Sequence, residues 1–249
     1  MTQKPDPFHH HPEVRGEIAN SETSFFRDFS VDRLVEKFPQ LERFRDFTHS
    51  DAKREALRAE ALQGHNGDLW VFGYGSLMWD PALRYQEVRR VFAPQHARRL
   101  ILKDDKGGRG TPEAPGLMAA LDEGDGCDGL ALRIAAEDVD SETEILFRRE
   151  LVGPAYIAAF IPVELDGEKI SALSFLADHT SPDIIPDVDR ADQIRWIATG
   201  SGILGSSRDY LGTTITQLAR MGIADEYCAD LLKEVDSFLA ASHQQETLK

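Results

Sequence analysis

The sequence predicts an α+β protein built on an antiparallel sheet or a small barrel. Short apolar runs of alternating character follow one another from residue 69 to residue 177, and Gly, Pro or Asp turns bound each of them. Their spacing leaves too little room for repeated βαβ units, which disfavours a doubly wound parallel sheet. Stretches of helical periodicity in the middle and at the end of the chain supply the α component.

The chain changes character near residue 66, where QGHNG ends a charged, helix-favouring stretch. We predict an N-terminal extension over residues 1–66 and a main domain over residues 67–249. Three prolines and polar composition predict mobility to about residue 22, with helix after it.

Aromatic residues from Phe25 to Phe44 recur at helical spacing. This apolar stripe should dock on the main domain or on a second copy, with self-association and a lid over the pocket as the alternatives.

Six segments of the main domain have the composition of strands: LWVFGYGSL, HARRLILK, PGLMAAL, GLALRIA, AYIAAFIPVEL and KISALSFLAD. The segment SETEILFRREL between them is amphipathic and predicts a helix, with Ser141 as its N-cap and Glu144 as the capping-box partner. Helical periodicity returns from Asp189 through Trp196 and from Ser207 to Leu239.

Composition narrows the classes of partner. The 249 residues contain 43 acidic and 28 basic side chains, a formal charge of −15, so nucleic acid and anionic membranes are disfavoured and a small molecule remains open. Two cysteines in a chain of this size argue against a secreted disulfide scaffold. The N-terminus lacks the basic and apolar regions of a signal peptide, and no stretch is long and apolar enough to span a membrane. We therefore predict a cytoplasmic protein with reduced thiols.

The segment VFGYGSLMW places two glycines around Tyr74 where an apolar strand must turn sharply. Glycine permits a positive φ there, and successive backbone N–H groups in such a turn can converge on an anion. A plain strand end is the alternative. The segment lacks the third glycine of a dinucleotide fingerprint, the lysine of a phosphate loop and the nucleophile elbow of an esterase.

Glu150 is the second candidate, at the end of the segment LFRREL. Most glutamates at helix ends are solvated. Glu150, however, lies between apolar Phe147 and Leu151 and precedes a buried-looking strand, so its carboxylate could face a pocket and transfer protons.

The third candidate is Arg109, within GGRGTPEAPG. Glycines and prolines hold this cation in a rigid turn, where its guanidinium could bind a substrate carboxylate or simply be solvated. Glu113 is an alternative acid or base in the same loop. The histidines and Cys127 provide no spacing that indicates a designed metal site or a nucleophile.

Four motifs in this order, VFGYGSLMW, RGTPEAPG, FRREL with Tyr156 after it, and SSRDYL, resemble the ChaC-type gamma-glutamylcyclotransferases over about residues 69–231. The resemblance implies a small, mostly antiparallel β-barrel surrounded by helices. It also implies cleavage of glutathione into 5-oxoproline and cysteinylglycine.

The resemblance also implies roles for individual residues. The turn residues Tyr74, Gly75, Ser76 and Leu77 match the segment that holds the γ-glutamyl group, and Glu150 matches the catalytic glutamate. The substrate's own α-amino group is the nucleophile, so no covalent residue, metal or cofactor is needed. The turn amides and Tyr210 are the expected oxyanion donors, and Arg109, Tyr156 and Tyr210 complete the predicted substrate-binding set.

Two alternatives stay open at this point. One is a cyclotransferase for other γ-glutamyl amines or peptides. The other is a binding module that keeps the pocket and has lost the reaction.

Overall fold

The computed structural model describes residues 6–247 and shows a mixed α+β fold with a closed barrel of five strands. The seven strands of the main sheet are β1 Leu69–Gly73, β2 Glu87–Ala93, β3 His96–Asp104, β4 Gly116–Glu123, β5 Cys127–Ile134, β6 Tyr156–Leu165 and β7 Glu168–Ala177. The ring runs β1-β5-β2-β6-β7 and closes because β7 also pairs with β1, while β4 and β3 continue the sheet from β7. The predicted fold class is confirmed.

Strand pairing in the ring is antiparallel except where the barrel closes. β1 pairs with β5 from Leu69↔Ile134 onward, and the closing parallel pair is Val71↔Leu173. β6 and β7 form a long hairpin whose two-residue turn, Asp166 and Gly167, has φ values of 51° and 85°. Positive φ at both turn residues matches the right-handed twist of the strands, which explains the Asp-Gly sequence.

All six predicted strands are present, and the main sheet contains a seventh that the sequence did not indicate. β2, with the sequence EVRRVFA, alternates between buried and partly or fully exposed positions. The adjacent residues Arg89 and Arg90 give this segment a polar character and interrupt the period-two alternation that indicates a strand. β2 pairs with β5 along its whole length, so the barrel depends on it.

Six α-helices lie in the described part of the chain: α1 Val31–Lys37, α2 Asp51–Ala61, α3 Val139–Glu150, α4 Arg190–Thr199, α5 Ser207–Arg220 and α6 Glu226–Thr247. α3 begins two residues earlier than Ser141, and its N-cap residue is Asp138. The capping box at Ser141 is therefore wrong, because the Ser141 hydroxyl lies inside the helix and donates to Asp138 O over 3.1 Å. None of the helices in residues 6–247 combines the length and apolar composition that crossing a bilayer demands.

The backbone clusters into two compact units. The first comprises Met1–Arg99 and Ala120–Asp178, and the second comprises Leu100–Ala119 and His179–Lys249. In the second unit α4, α5 and α6 pack on one another. The hydroxyl of Tyr227 on α6 accepts from Leu100 N over 3.1 Å and from Gln193 Nε2 over 2.9 Å, which joins α6 and α4 to β3.

The N-terminal extension is helical, as predicted, and belongs to the first unit. Phe29 and Leu34 of the aromatic stripe are buried, and Phe26 packs against the core of this unit. Residues 6–22, for which composition indicated mobility, contact the rest of the first unit: Val88 N donates to Pro7 O over 3.0 Å, and Ala19 N donates to Trp79 O over 2.7 Å. The boundary at residue 66 stays a prediction.

Candidate functional site

The turn after β1 owes its shape to a close approach of the chain to itself. A short 3-10 turn, Ser76–Met78, follows the strand, and a Cβ atom on Gly73 would lie 2.8 Å from Leu77 Cβ. Glycine at position 73 is therefore required by space. The expectation of a positive φ is wrong at Gly73 and Gly75, since Gly75 has a φ of −139°.

The first backbone N–H groups of the 3-10 turn take no part in the hydrogen bonds of the turn itself. Met78 N donates to Gly75 O and Asp80 N donates to Ser76 O, each over 2.9 Å. Ser76 and Leu77 are the first two residues of the turn, and the first N–H groups of a helical turn have no acceptor within it. These two amides are the groups of this segment that can bind a substrate oxygen.

The side chains of Tyr74 and Leu77 serve the core. Tyr74 is 6% exposed, and its hydroxyl donates to Phe175 O over 2.8 Å. Leu77 is 4% exposed and belongs to the apolar cluster of the first unit. The prediction that both residues bind substrate is thereby limited to their backbone groups.

Arg149 connects the turn to Glu150. Its Nη2 donates to Ser76 Oγ over 2.7 Å, its Nε donates to Glu150 Oε1 over 2.7 Å, and its Nη1 donates to Asp80 O. The side chain of Arg149 is only 2% exposed. Three acceptors at fixed positions suit the planar guanidinium fork, which donates from several nitrogens at once.

Glu150 is the last residue of α3, and its side chain is 14% exposed. The negative end of the helix dipole disfavours a carboxylate there, and the neighbouring guanidinium offsets that effect. Oε1 is occupied by Arg149. Within residues 6–247 no hydrogen bond is made by Oε2, which leaves this oxygen able to accept a proton from a ligand.

Tyr156 begins β6, six residues after α3 ends at Glu150. It is half-buried and packs against the apolar cluster that includes Leu77 and Phe147. Tyr156 therefore lies in the same unit as the turn and Glu150. That its side chain contacts the substrate stays a prediction.

Arg109 and Tyr210 lie in the second unit, where they contact each other. The Arg109 guanidinium carbon lies 4.9 Å from the centre of the Tyr210 ring, and its Nη1 donates to Ser206 O over 3.2 Å. Burial lowers the pKa of the Arg109 guanidinium, and Tyr210, Asp104 and Asp209 oppose that effect. An arginine remains charged despite such a shift, so a half-buried cation is available in this unit.

The glycines around Arg109 are explained by close contact between two backbones. A Cβ atom on Gly110 would lie 2.2 Å from Asp104 O, and one on Gly202 would lie 2.4 Å from Gly107 O. The hairpin of β8 Ser201–Gly202 and β9 Gly205–Ser206 follows α4 and donates to this loop from Ile203 and Leu204. Glu113, the alternative acid or base, is exposed.

Sequence reasoning missed the residue that joins the first-unit candidates. Arg149 occupies the buried face of α3 together with Ile145 and Leu146, and this helical spacing was a signal that its guanidinium lies inside. Ser207 was also missed: it is fully buried and accepts from Leu117 N over 2.9 Å, which fixes the start of α5 to β4.

No group of three or more His, Cys, Asp or Glu residues in the described part of the chain has the arrangement of a metal site. Cys127 and Cys228 are both buried, and neither belongs to a disulfide. Neither observation assigns a cofactor to this protein.

Comparisons with known proteins identify relatives of this chain. The profile of a family described as ChaC-like protein matches residues 69–238. A glutathione-specific gamma-glutamylcyclotransferase of Escherichia coli is 33% identical over 190 residues, which cover 76% of this chain and 82% of that protein. A protein of the same name from Schizosaccharomyces pombe is 32% identical over 167 residues, covering 58% of this chain and 80% of the relative.

The fold has a counterpart among solved structures. The crystal structure of a γ-glutamyl cyclotransferase specific to glutathione from yeast superposes with a TM-score of 0.64 at 21% identity. The match covers 70% of this chain and 97% of the yeast chain. The extension before residue 69 lies outside the family match.

Proposed function

Because the chain belongs to the ChaC-like protein family, we propose that it is a gamma-glutamylcyclotransferase that cleaves glutathione into 5-oxoproline and cysteinylglycine. The observation that carries the proposal beyond the family is the link Ser76–Arg149–Glu150. It holds a carboxylate with one unoccupied oxygen next to a turn with two available amides. A base beside an anion-binding turn is what the reaction requires.

The reaction is an intramolecular acyl transfer. Glu150 takes a proton from the α-ammonium group of the substrate, and the free amine attacks the γ-carbonyl carbon. The turn amides stabilise the oxyanion. When the C–N bond to the cysteinyl nitrogen breaks, Glu150 gives its proton to that nitrogen. The ring nitrogen still carries two hydrogens after the attack, and it loses one of them through Glu150 to the departing amine, so the lactam is neutral and no water is consumed.

Ring closure within one molecule supplies the proximity that a reaction between two molecules gains only by binding. The enzyme therefore has to orient the substrate and move protons from the α-nitrogen to the cysteinyl nitrogen. The backbone of Tyr74, Gly75, Ser76 and Leu77 would hold the γ-glutamyl group. Arg109 would bind the carboxylate at the far end of glutathione, and Tyr156 would contact the bound substrate.

The decisive experiment is an assay of the purified protein with glutathione. We expect 5-oxoproline and cysteinylglycine in equal amounts, detected by chromatography, without added metal or nucleotide. A panel of γ-glutamyl amines and peptides distinguishes the alternative substrates. Binding of glutathione without any turnover of the panel would instead establish the silent binding module.

Self-association belongs to the same proposal. Phe25 and Phe47 of the extension are 42% and 47% exposed, which makes them the apolar side chains of this segment that a second copy could cover. Sedimentation of the wild-type protein over a range of concentrations, compared with the Phe25→Ser/Phe47→Ser protein, tests this. The mass of a monomer at every concentration of the wild-type protein would contradict it.

The cytoplasmic location is proposed from the sequence, because two cysteines in a chain of 249 residues argue against a secreted disulfide scaffold. Fractionation of cells that express the natural chain tests the location. Recovery of the protein outside the cytoplasmic fraction would contradict it.

A further inference from the structure

The N-terminal extension reaches the guanidinium group that holds Glu150. The ring of Phe26 covers Arg149, with 4.3 Å between the guanidinium carbon and the ring centre. This distance is shorter than the 4.9 Å between the Arg109 guanidinium carbon and the centre of the Tyr210 ring. Phe26 lies outside residues 69–238, the region shared with the family.

The segment that carries Phe26 is fixed by the next residue. Arg27 forms a bidentate ion pair with Glu142, which is fully buried on α3. Arg27 Nη1 also donates to Ala82 O over 3.0 Å, and Arg148 Nη2 donates to Arg27 O over 2.9 Å. A buried carboxylate requires its partner, so this contact fixes the position of the extension on α3.

The two arginines hold successive points of the same loop. Arg149 binds Ser76 Oγ and Asp80 O, and Arg27 binds Ala82 O four positions after the end of the 3-10 turn at Met78. The N–H donors of a guanidinium group point outward in its plane. The Arg149 guanidinium carbon lies over the Phe26 ring, so the ring contacts this group beside its three acceptors without competing for a donor.

We propose that Phe26 is a positioning residue, which keeps Arg149 in the plane that joins Ser76 to Glu150. This inference rests on the proposed function for its effect on turnover. The extension then has a catalytic purpose as well as a structural one, because it excludes water from the guanidinium and holds the Glu150 carboxylate in one orientation. A carboxylate that must take a proton from one nitrogen and return it to another depends on that orientation.

The test changes the Phe26 ring to groups that still fill most of its space. Phe26→Leu keeps an apolar side chain and removes the π face, and 3,4,5-trifluorophenylalanine at position 26 keeps the ring and withdraws its negative charge density. Phe26→Tyr is the conservative variant, which keeps the aromatic ring and should therefore keep the wild-type behaviour. Phe38→Leu is the matched control, since Phe38 faces the cation of Lys37 in the same extension at 5.4 Å.

Two readouts are measured on the full chain. The first is the exchange with water of the Arg149 Nε–H proton, followed by ¹⁵N NMR and assigned by its loss in the Arg149→Lys protein. The second is kcat and KM for 5-oxoproline release. We expect Phe26→Leu to speed the exchange and to lower kcat, each by about tenfold, with KM changed by less than about twofold. The fluorinated ring should act in the same direction, and Phe26→Tyr and Phe38→Leu should match the wild type.

Each outcome decides the matter. Wild-type exchange rate and kcat in both the leucine and the fluorinated protein would overturn the positioning role. A fall in stability with kcat and Nε–H exchange unchanged would also overturn it and leave Phe26 as a packing residue. If the wild-type protein turns over no γ-glutamyl compound, the proposed function fails, and the exchange measurement alone still decides whether Phe26 holds Arg149.

Discussion

Ser76 Oγ and Glu150 Oε1 accept hydrogen bonds from the same guanidinium group, each over 2.7 Å. Ser76 begins the 3-10 turn after β1, and Glu150 ends α3, so Arg149 joins two elements separated by more than seventy residues of sequence. A displacement of the turn is therefore transmitted to the carboxylate. This shared donor makes the turn and the proposed base a single unit whose parts can be tested separately.

Replacing Glu150 by glutamine tests the base. The amide keeps the size of the side chain and its acceptor for Arg149 but cannot take a proton from an ammonium group. We expect kcat for 5-oxoproline release to fall by about 10²- to 10⁴-fold, with glutathione binding retained. Glu144→Gln is the control, because Glu144 lies on the same helix and is exposed. Full activity of the Glu150→Gln protein would rule out Glu150 as the base.

Ser76→Ala tests the link from the turn side. Removing the hydroxyl leaves Arg149 Nη2 without its acceptor in a place where the side chain is 2% exposed. We expect the free energy of unfolding, measured in urea, to fall by about 1–3 kcal/mol, and kcat to fall with it. Ser141→Ala, an exposed serine on α3, should change neither. Equal stability of the Ser76→Ala and Ser141→Ala proteins would show that the bond to Ser76 contributes nothing.

Arg149→Lys asks whether charge alone is sufficient. Lysine keeps the positive charge but presents one compact ammonium group, which cannot reach Ser76, Glu150 and Asp80 together. We expect a loss of about 3 kcal/mol in the free energy of unfolding, because the partly buried Glu150 carboxylate and two further acceptors lose a partner. Arg33→Lys is the control, at a side chain that is 68% exposed. An Arg149→Lys protein as stable and active as the wild type would contradict the connecting role.

Strands were easier to predict from the sequence than the long-range side-chain contacts that build the candidate site. Period-two alternation and Gly, Pro and Asp turns located six strands, because burial on one face imposes that pattern locally. β2 was missed because its side chains include two adjacent arginines, and Arg89 satisfies its charge through Glu87 and Asp166, which no local pattern reveals.

The candidate site shows the same limit. Motif order brought attention to Ser76 and Glu150, but the bonds that join them are made by a side chain from α3 to a turn far away in sequence. Tyr74 is the opposite case: its motif predicted a substrate-binding side chain, but its hydroxyl donates to Phe175 O in the core. Long-range contacts of single polar atoms leave no periodic signal, so only the folded chain reveals them.

Asp68 predicts a dependence of stability on pH. Its hydrogen bond to Arg133, followed by that from Ala136 N, lowers the pKa of Asp68 below its ordinary value of 3.8. The unfolded chain then binds this proton at a higher pH than the folded chain does. The stability that Asp68 provides is present above about 3.8 and is lost as the pH falls through the lower folded value.

The measurement is the free energy of unfolding in urea from about pH 7 to about pH 3. The difference between the wild-type and Asp68→Asn proteins should shrink toward the acid end, and Asp46→Asn, at an exposed aspartate of the extension, is the control. A difference that stays constant across this range would contradict the bond to Arg133 as its source.

Arg109 tests which end of the substrate the second unit binds. Its guanidinium is half-buried against Tyr210, a setting in which a charge-assisted bond to a carboxylate is stronger than in water. Arg109→Met should raise KM for glutathione by about 10- to 100-fold and change kcat little, because that carboxylate is remote from the reacting carbonyl. Substrates without a terminal carboxylate should lose nothing, since they have no group for this cation to bind.

Arg208→Met is the matched control for that experiment, because Arg208 lies on α5 of the same unit and pairs with Asp236 at the surface. The comparison also separates the candidate substrates. If Arg109→Met raises KM equally for glutathione and for a γ-glutamyl amine without a carboxylate, the Arg109 guanidinium does not bind the terminal carboxylate of the substrate. Its contact with Tyr210 would then fix α5 instead, and a loss of thermal stability in the Arg109→Met protein without ligand would accompany that result.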